Sequence, residues 1–256
     1  MSLFDSHVHL DAPEFDMDRA GVLRDARAAG VTEMLVPAVT AASWPKLHAL
    51  CAAADGLYPA YGLHPCYLAR HEDGDLALLE AWLRANPAAA VGECGLDLFE
   101  PGLDREHQLR LLRGQLEIAY RFDLPLVLHA RRAFEQVILE LRRFGRPLRG
   151  VVHSFSGSPE QARELWELGF CVGIGGPVTY ARARRLRRTV AELPGECLLL
   201  ETDAPDQPDA RHRGGRNEPA FLACVLQCVA TLRGEEPSGL ARATRENARR
   251  LFAGAS

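Results

Sequence analysis

The stretch REHQLRLLRGQLEIAYRFDLPLVLHA, residues 105–130, contains one unit of the pattern from which the architecture follows. Over 105–122 apolar residues recur at i, i+3, i+4 and i+7, the spacing of one helix face. LPLVLHA (124–130) then gives a short apolar run of the kind that forms a buried strand, and a histidine sits near its end. The same alternation fills the chain on either side. Seven further runs read as strands: LFDSHVHL (3–10), VTEMLVPAV (31–39), LYPAYGLHP (57–65), AAAVGECGLD (88–97), RGVVHSF (149–155), FCVGIGG (170–176) and CLLLETDAP (197–205). Helical sequence follows each. SPEQARELWELG (158–169) opens on Ser158, Pro159 and Glu160 and closes at Gly169, which are helix start and stop signals.

Eight strand–helix units in 256 residues predict an α/β protein, a (β/α)8 TIM barrel forming a single domain over 1–256. An open doubly wound sheet also alternates, but it usually has fewer strands and often a glycine-rich phosphate loop after the first. No GxGxxG follows residues 3–10. APDQPDARHRGGRN (204–217) lacks a period and reads as a loop after the last strand.

Composition narrows the function classes. With 47% hydrophobic and 25% charged residues the chain is globular, not disordered, collagen-like or coiled coil. No apolar run approaches the ~18–20 residues of a membrane span, and MSLFDSHVHL does not read as a signal peptide. Seven cysteines, an odd number with no CxxC pair, predict a reduced, cytoplasmic protein. Nothing in the sequence calls for an obligate protein partner. The net charge of -4 argues against non-specific duplex binding, although bound divalent metals would add positive charge that composition does not count.

Function is written in the polar residues near the strand ends. His7 and His9, Glu93, His129, His153 and Asp203 fall at the same end of five predicted strands, and barrel strands converge there on one mouth. Residues i and i+2 of a strand point the same way, so His7 and His9 can grip one cation. Imidazole and carboxylate suit borderline divalent ions, with Zn, Mn, Ni or Co favoured over Mg on softness. Six ligands exceed what one cation with an open position needs, so they suggest two cations. Glu93 is the candidate bridge, because the one lysine, Lys46, falls in the second helix, away from the cluster. His48, His71, His107 and His212 lie in helices or loops and read as solvated or structural.

These motifs resemble the TatD family of metal-dependent hydrolases, within the amidohydrolase-like barrels. The matching strings are FDSHVHL (4–10), GLHP (62–65), VGECGLD (91–97), LPLVLHAR (124–131), GVVHSFSG (150–157), ETDAP (201–205), RNEP (216–219) and NARRLF (247–252), in order along nearly the whole chain. The resemblance implies a (β/α)8 fold, divalent metals and phosphodiester hydrolysis, commonly as a deoxyribonuclease trimming DNA from its 3′ end. Carried over by position, His7, His9 and Asp203 would hold one metal, His129 and His153 the second, with Glu93 bridging.

In a hydrolase of this kind the metals lower the pKa of water, and Asp203 is placed both to ligate and to take the water's proton. Catalysis would then rest on Asp203 and Glu93. His64, Arg131 and Arg216 are the candidate contacts to substrate phosphate, with pairing to Glu201 or another acid as the alternative for Arg131. Glu201 is read as orienting a ligand from behind. Trp44, Trp82 and Trp166 are assigned to packing, so no aromatic platform for bases is legible. The substrate expected is single-stranded DNA or a nucleotide phosphoester. A metallohydrolase of carboxylic esters, amides or small phosphoesters is the alternative on the same two-metal site.

Overall fold

A computed structural model describes residues 2–253; residue 1 and residues 254–256 of the expected 1–256 domain lie outside the described residues. Eight parallel strands form one sheet in sequential order: β1 Leu3–Asp5, β2 Val31–Pro37, β3 Leu57–Tyr61, β4 Ala90–Asp97, β5 Leu126–Arg131, β6 Gly150–Val152, β7 Phe170–Ile174 and β8 Leu198–Leu200. The helices between and after them are α1 Arg19–Ala28, α2 Trp44–Ala52, α3 Asp75–Ala85, α4 Arg105–Arg121, α5 Phe134–Phe144, α6 Pro159–Glu167, α7 Arg184–Glu192, α8 Leu222–Arg233 and α9 Pro237–Phe252. This is the expected (β/α)8 barrel.

The seam between β1 and β8 closes through loop and side-chain bonds rather than a regular ladder. Ser6 N donates to Leu200 O at 3.0 Å and Asp203 N donates to His7 O at 2.9 Å. The buried Asp5 carboxylate accepts from Thr202 N at 3.0 Å and from its hydroxyl at 2.6 Å. Burial with no nearby cation raises the Asp5 carboxyl to about 7.

Side-chain alternation separates inside from outside. Each strand gives one side chain to a buried cluster inside the barrel, for instance Phe4, Leu35, Val127, Val151 and Leu199. Phe252 of α9 stacks on Phe4 at 6.1 Å between ring centroids and covers the N-terminal end. The alternate strand residues, such as Val36, Leu128, Val172 and Ile174, face the helices in a second, larger core. The filled interior leaves the opposite, C-terminal end as the place for a site.

Strands are shorter than the apolar runs suggest. His7, His9, His64, His153 and Asp203 all lie beyond the last ladder residue, in the first turns of the βα loops, whereas Glu93 and His129 stay within strands. The chain bends there toward the barrel axis, and its backbone groups bond across the mouth, as Asp203 does to His7. SPEQARELWELG folds as read, with Ser158 accepting from Gln161 N as N-cap and Pro159 opening α6. Of the tryptophans, Trp44 is fully buried, whereas Trp166 is partly exposed on the outer face.

Candidate metal centre

Strand β4 places the central carboxylate. Val91 pairs with Leu126 and Cys94 with Leu128, so three steps on β4 match two on β5 and the extra residue forms a bulge at Gly92–Glu93. Gly95 next to it lies against β5, where a Cβ would meet His129 O at 2.0 Å; its φ of +142° suits glycine. The bulge turns the Glu93 side chain, 1% exposed, into the mouth.

The two Glu93 oxygens serve two groups of donors. On the Oε2 side, His7 Nε2 lies 3.1 Å from Glu93 Oε2, 3.5 Å from Asp203 Oδ1 and 3.3 Å from His9 Nε2. His9 Nε2 is 3.4 Å from Glu93 Oε2 and 3.7 Å from Asp203 Oδ1. A cation with four ligands at ~2.1 Å has tetrahedral edges of roughly 3.4 Å, so these atoms already stand at ligand spacing. His9 Nδ1 faces Pro37 O at 3.3 Å, which leaves the Nε2 lone pair for the group. Glu93 Oε2 is buried without a hydrogen-bond partner, as suits an atom placed for another role.

On the Oε1 side, Glu93 lies 2.7 Å from His153 Nε2 and 3.0 Å from His129 Nδ1, and these two nitrogens are 3.2 Å apart. This group is tighter than a filled tetrahedron by a few tenths of an ångström. His129 has its outer support in place, whereas His153 Nδ1 has no hydrogen-bond partner. His129 Nε2 is 3.0 Å from Asp97 Oδ2, and His153 Nδ1 is 3.8 Å from the buried Glu201. Gly173 leaves room for that Glu201, since a Cβ there would meet its Oε2 at 2.0 Å.

Protonation cuts across this division: for His9 burial acts downward, but the Glu93 and Asp203 carboxylates outweigh it and raise the ring to about 9. Burial opposes ionisation of Glu93, but the imidazoles of His153, His64 and His7 hold its carboxyl well below the usual range. Burial drives His7 well below its usual value and His64 down to about 4, so both rings keep a lone pair at neutral pH. For His129 burial acts downward too, but bonding to Asp97, Cys66 and Glu93 together outweighs it and raises the ring well above its usual value. Burial raises Asp203, and burial with the neighbouring Asp203 charge raises Glu201 strongly.

The six expected ligands are therefore brought together. The candidate substrate contacts fare differently. His64 Nδ1 accepts from Cys66 N at 3.1 Å, so Nε2 carries the hydrogen and donates to Glu93 Oε1 at 2.9 Å. His64 thus steadies the central carboxylate while its ring lines the cavity. His71, which reads from the sequence as solvated or structural, is the support behind it, with Nε2 2.8 Å from His64 O. Arg131 lines the cavity without pairing to Glu201; its nearest carboxylate, Asp97, is 3.9 Å away. Arg216 does not line it. Its guanidinium bonds to Asp18 at 2.7 and 3.0 Å and to Glu218 at 2.9 Å, and so ties the loop after β8 to the segment before α1. Carboxylates distant in sequence have claimed it, and the candidate substrate contact is corrected to a structural one.

Sequence reading missed Asp97 and Gln207. Asp97 stands in GECGLD, but an aspartate closing a strand before a loop also fits turn formation. Gln207 donates to Asp203 Oδ2 and accepts from Ser154 Oγ at 2.9 Å, a link with no local pattern. Also missed were Tyr67 and Phe99, exposed aromatic rings that line the same mouth, contrary to the absence of a platform expected above. Lys46 lies at the rim, bound to Asp11 O at 2.8 Å and Asp16 at 2.9 Å.

The cavity over the two groups measures about 1170 Å³, more than a single small ester needs. Among the described residues, four of the five non-glycine residues with left-handed φ, Arg132, Ser154, Asp203 and Gln207, line it. Such strained backbone collects at functional sites.

Comparison with known proteins agrees with this geometry. A family profile described as "TatD related DNase" matches residues 4–253. The metal-dependent hydrolase YjjV of Escherichia coli K12 is 42% identical over 97% of this chain and 96% of its own. Its crystal structure superposes with a TM-score of 0.95, covering 98% of both chains. A protein of Erwinia billingiae named 3′-5′ ssDNA/RNA exonuclease TatD is 35% identical over 98% of each chain. With the family matched along nearly its whole length and the donor set for a divalent metal in place, this chain belongs to the TatD family of metal-dependent hydrolases.

Proposed function

We propose that the chain is a two-cation phosphodiesterase that removes nucleotides from the 3′ end of single-stranded DNA or RNA. The observation that carries it is the division of Glu93, whose Oε2 faces His7 and His9 and whose Oε1 faces His129 and His153. His7, His9 and Asp203 would hold one cation and His129 and His153 the other, with Glu93 shared between them. Bound divalent cations supply Lewis acidity, which yields a nucleophile near neutral pH and offsets charge on the phosphoryl oxygens. The imidazole-rich set favours Zn, Mn, Ni or Co over Mg. The exonuclease name of the 35%-identical relative supports the substrate class.

The chain's own groups divide the work. Asp203 takes the proton of the attacking water. The water oxygen bonds to phosphorus, the P–O3′ bond breaks, and the 3′-oxygen leaves with a proton from solvent. Gln207 holds the Asp203 carboxylate through Oδ2. Arg131 offers a guanidinium to a phosphate of the substrate strand. Seven cysteines without a disulfide suit a reducing, cytoplasmic setting, and among the described residues no helix is long and apolar enough to cross a membrane.

The test is hydrolysis of a 5′-labelled single-stranded oligonucleotide by metal-stripped protein, with Mn, Zn or Mg restored separately. Stepwise shortening that needs metal, and falls by roughly 10²–10⁴ in Asp203→Asn, is the expected result. An oligonucleotide left intact under every metal overturns the reading.

A further inference from the structure

Several arginines on the outer surface of the barrel are paired with carboxylates. On the outer helices and connecting loops, Arg113, Arg121, Arg142, Arg143 and Arg149 each hold a glutamate or aspartate at hydrogen-bond distance. Among the described residues, the three that line the mouth, Arg70, Arg131 and Arg132, hold no carboxylate that closely. Arg131 has Asp97 only at 3.9 Å, and among the described residues Arg132 has no carboxylate within ion-pair distance. Both instead lie over one aromatic ring: the Arg131 guanidinium carbon is 3.8 Å and that of Arg132 4.5 Å from the Phe99 centroid. A guanidinium stacked by its face keeps its N–H edge free, and that edge matches a phosphate.

The arrangement is tied to the metal centre. Asp97, which holds His129 through Oδ2, also accepts from Phe99 N and Glu100 N at 2.9 Å through Oδ1. One carboxylate therefore positions a metal-facing imidazole and the ring beneath the two guanidiniums. Arg132 itself sits at φ +54°, a conformation that a non-glycine residue adopts only when its surroundings enforce it. Charge across the mouth is divided. Arg131 ends β5, and Arg132 and Arg70, the latter 5.6 Å over Tyr67, follow β5 and β3, whereas Asp11, Glu14 and Asp206 come from loops after β1 and β8 on the opposite side.

The geometry points to Arg131 and Arg132, presented by Phe99, as a second anion station that takes a non-scissile phosphate of a strand whose scissile phosphate lies at the metal centre. The inference rests on the phosphodiesterase reading and adds to it: the site recognises a chain of phosphates, running over the β3–β5 side, in preference to one isolated phosphodiester. Phe99 is a positioning residue, and the guanidiniums are the binding groups.

Steady-state kinetics on a thymidine dinucleotide, with one phosphate, and a trinucleotide, with two, test it in metal-loaded enzyme. The wild type is expected to show a trinucleotide to dinucleotide ratio of kcat/KM of about ten or more, the effect of one charge-assisted contact. Arg132→Gln and Phe99→Leu bring that ratio to within about twofold of one through KM, and Arg132→Gln lowers the salt dependence of trinucleotide KM by roughly one phosphate contact. Arg242→Gln, a charge removed from the exposed face of α9, keeps the wild-type ratio. A wild-type ratio near one, or a ratio that survives in both Arg132→Gln and Phe99→Leu, overturns the station while leaving the phosphodiesterase reading intact. Failure of the wild type to hydrolyse either substrate overturns that reading, and the station with it.

Discussion

Asp97 Oδ2 lies 3.0 Å from His129 Nε2, and the opposite ring nitrogen of His129 faces Glu93 Oε1 at the same distance. Asp97 thereby fixes which nitrogen carries the hydrogen and which offers a lone pair to a cation. Asp97→Asn removes the charge that holds this tautomer. Its expected effect is a loss of about 10–100-fold in affinity for the second cation, with the first nearly unchanged. Calorimetric titration with Mn resolves the two; equal weakening of both cations would contradict the assignment.

Metal binding should stabilise the fold, because the donor groups of the two sites come from five segments of chain that only the folded barrel brings together. Metal at about one hundred times its dissociation constant adds roughly 2.7 kcal/mol, which for a chain of this size raises Tm by about 5–10 °C. Thermal scans with EDTA and with added Zn or Mn check this. Glu93→Gln, which weakens the link between both groups, should lose most of the increment.

Gly95 permits the approach of β4 to β5 beside His129. Gly95→Ala places a methyl 2.0 Å from His129 O on a backbone with φ of +142°. The expected cost is about 2–3 kcal/mol of unfolding free energy, read by denaturant melts. A variant as stable as wild type would show that the strands part at no cost.

Glu140 of α5 supplies a pH dependence away from the centre. Its buried carboxylate is held below the usual carboxylate range, chiefly by hydrogen bonding to Arg113 and then by Arg143. A lowered native pKa means stability that is present above the unfolded value and lost as pH falls through the native one. The difference in stability between wild type and Glu140→Gln should therefore be largest near neutral pH and shrink below about pH 4. Both arginines are half-exposed, so the difference at pH 7 is about 1 kcal/mol or less. Denaturant melts at several pH values measure it.

The barrel and the convergence of the six candidate ligands on one mouth were legible because each rests on local pattern. Apolar runs end near polar residues, and the order of elements sends those ends to one mouth. The runs overstate strand length, since HVHL and ETDAP are as apolar or as regular as strands but spend their backbone bonds across the mouth. Pairings between distant segments were not legible. Arg216 finds Asp18, Gln207 finds Asp203, and Asp97 serves both His129 and the Phe99 backbone; no spacing in the sequence encodes these partners. Phe99 and Tyr67 each look like any single aromatic residue until the fold leaves them exposed beside the centre.

The central claim is a two-cation centre divided by Glu93. Anomalous diffraction from Mn-loaded crystals tests it most directly. The account predicts two peaks on either side of the Glu93 carboxylate, one within ligand distance of His7, His9 and Asp203 and the other of His129 and His153. A single peak, or peaks away from Glu93, would contradict it.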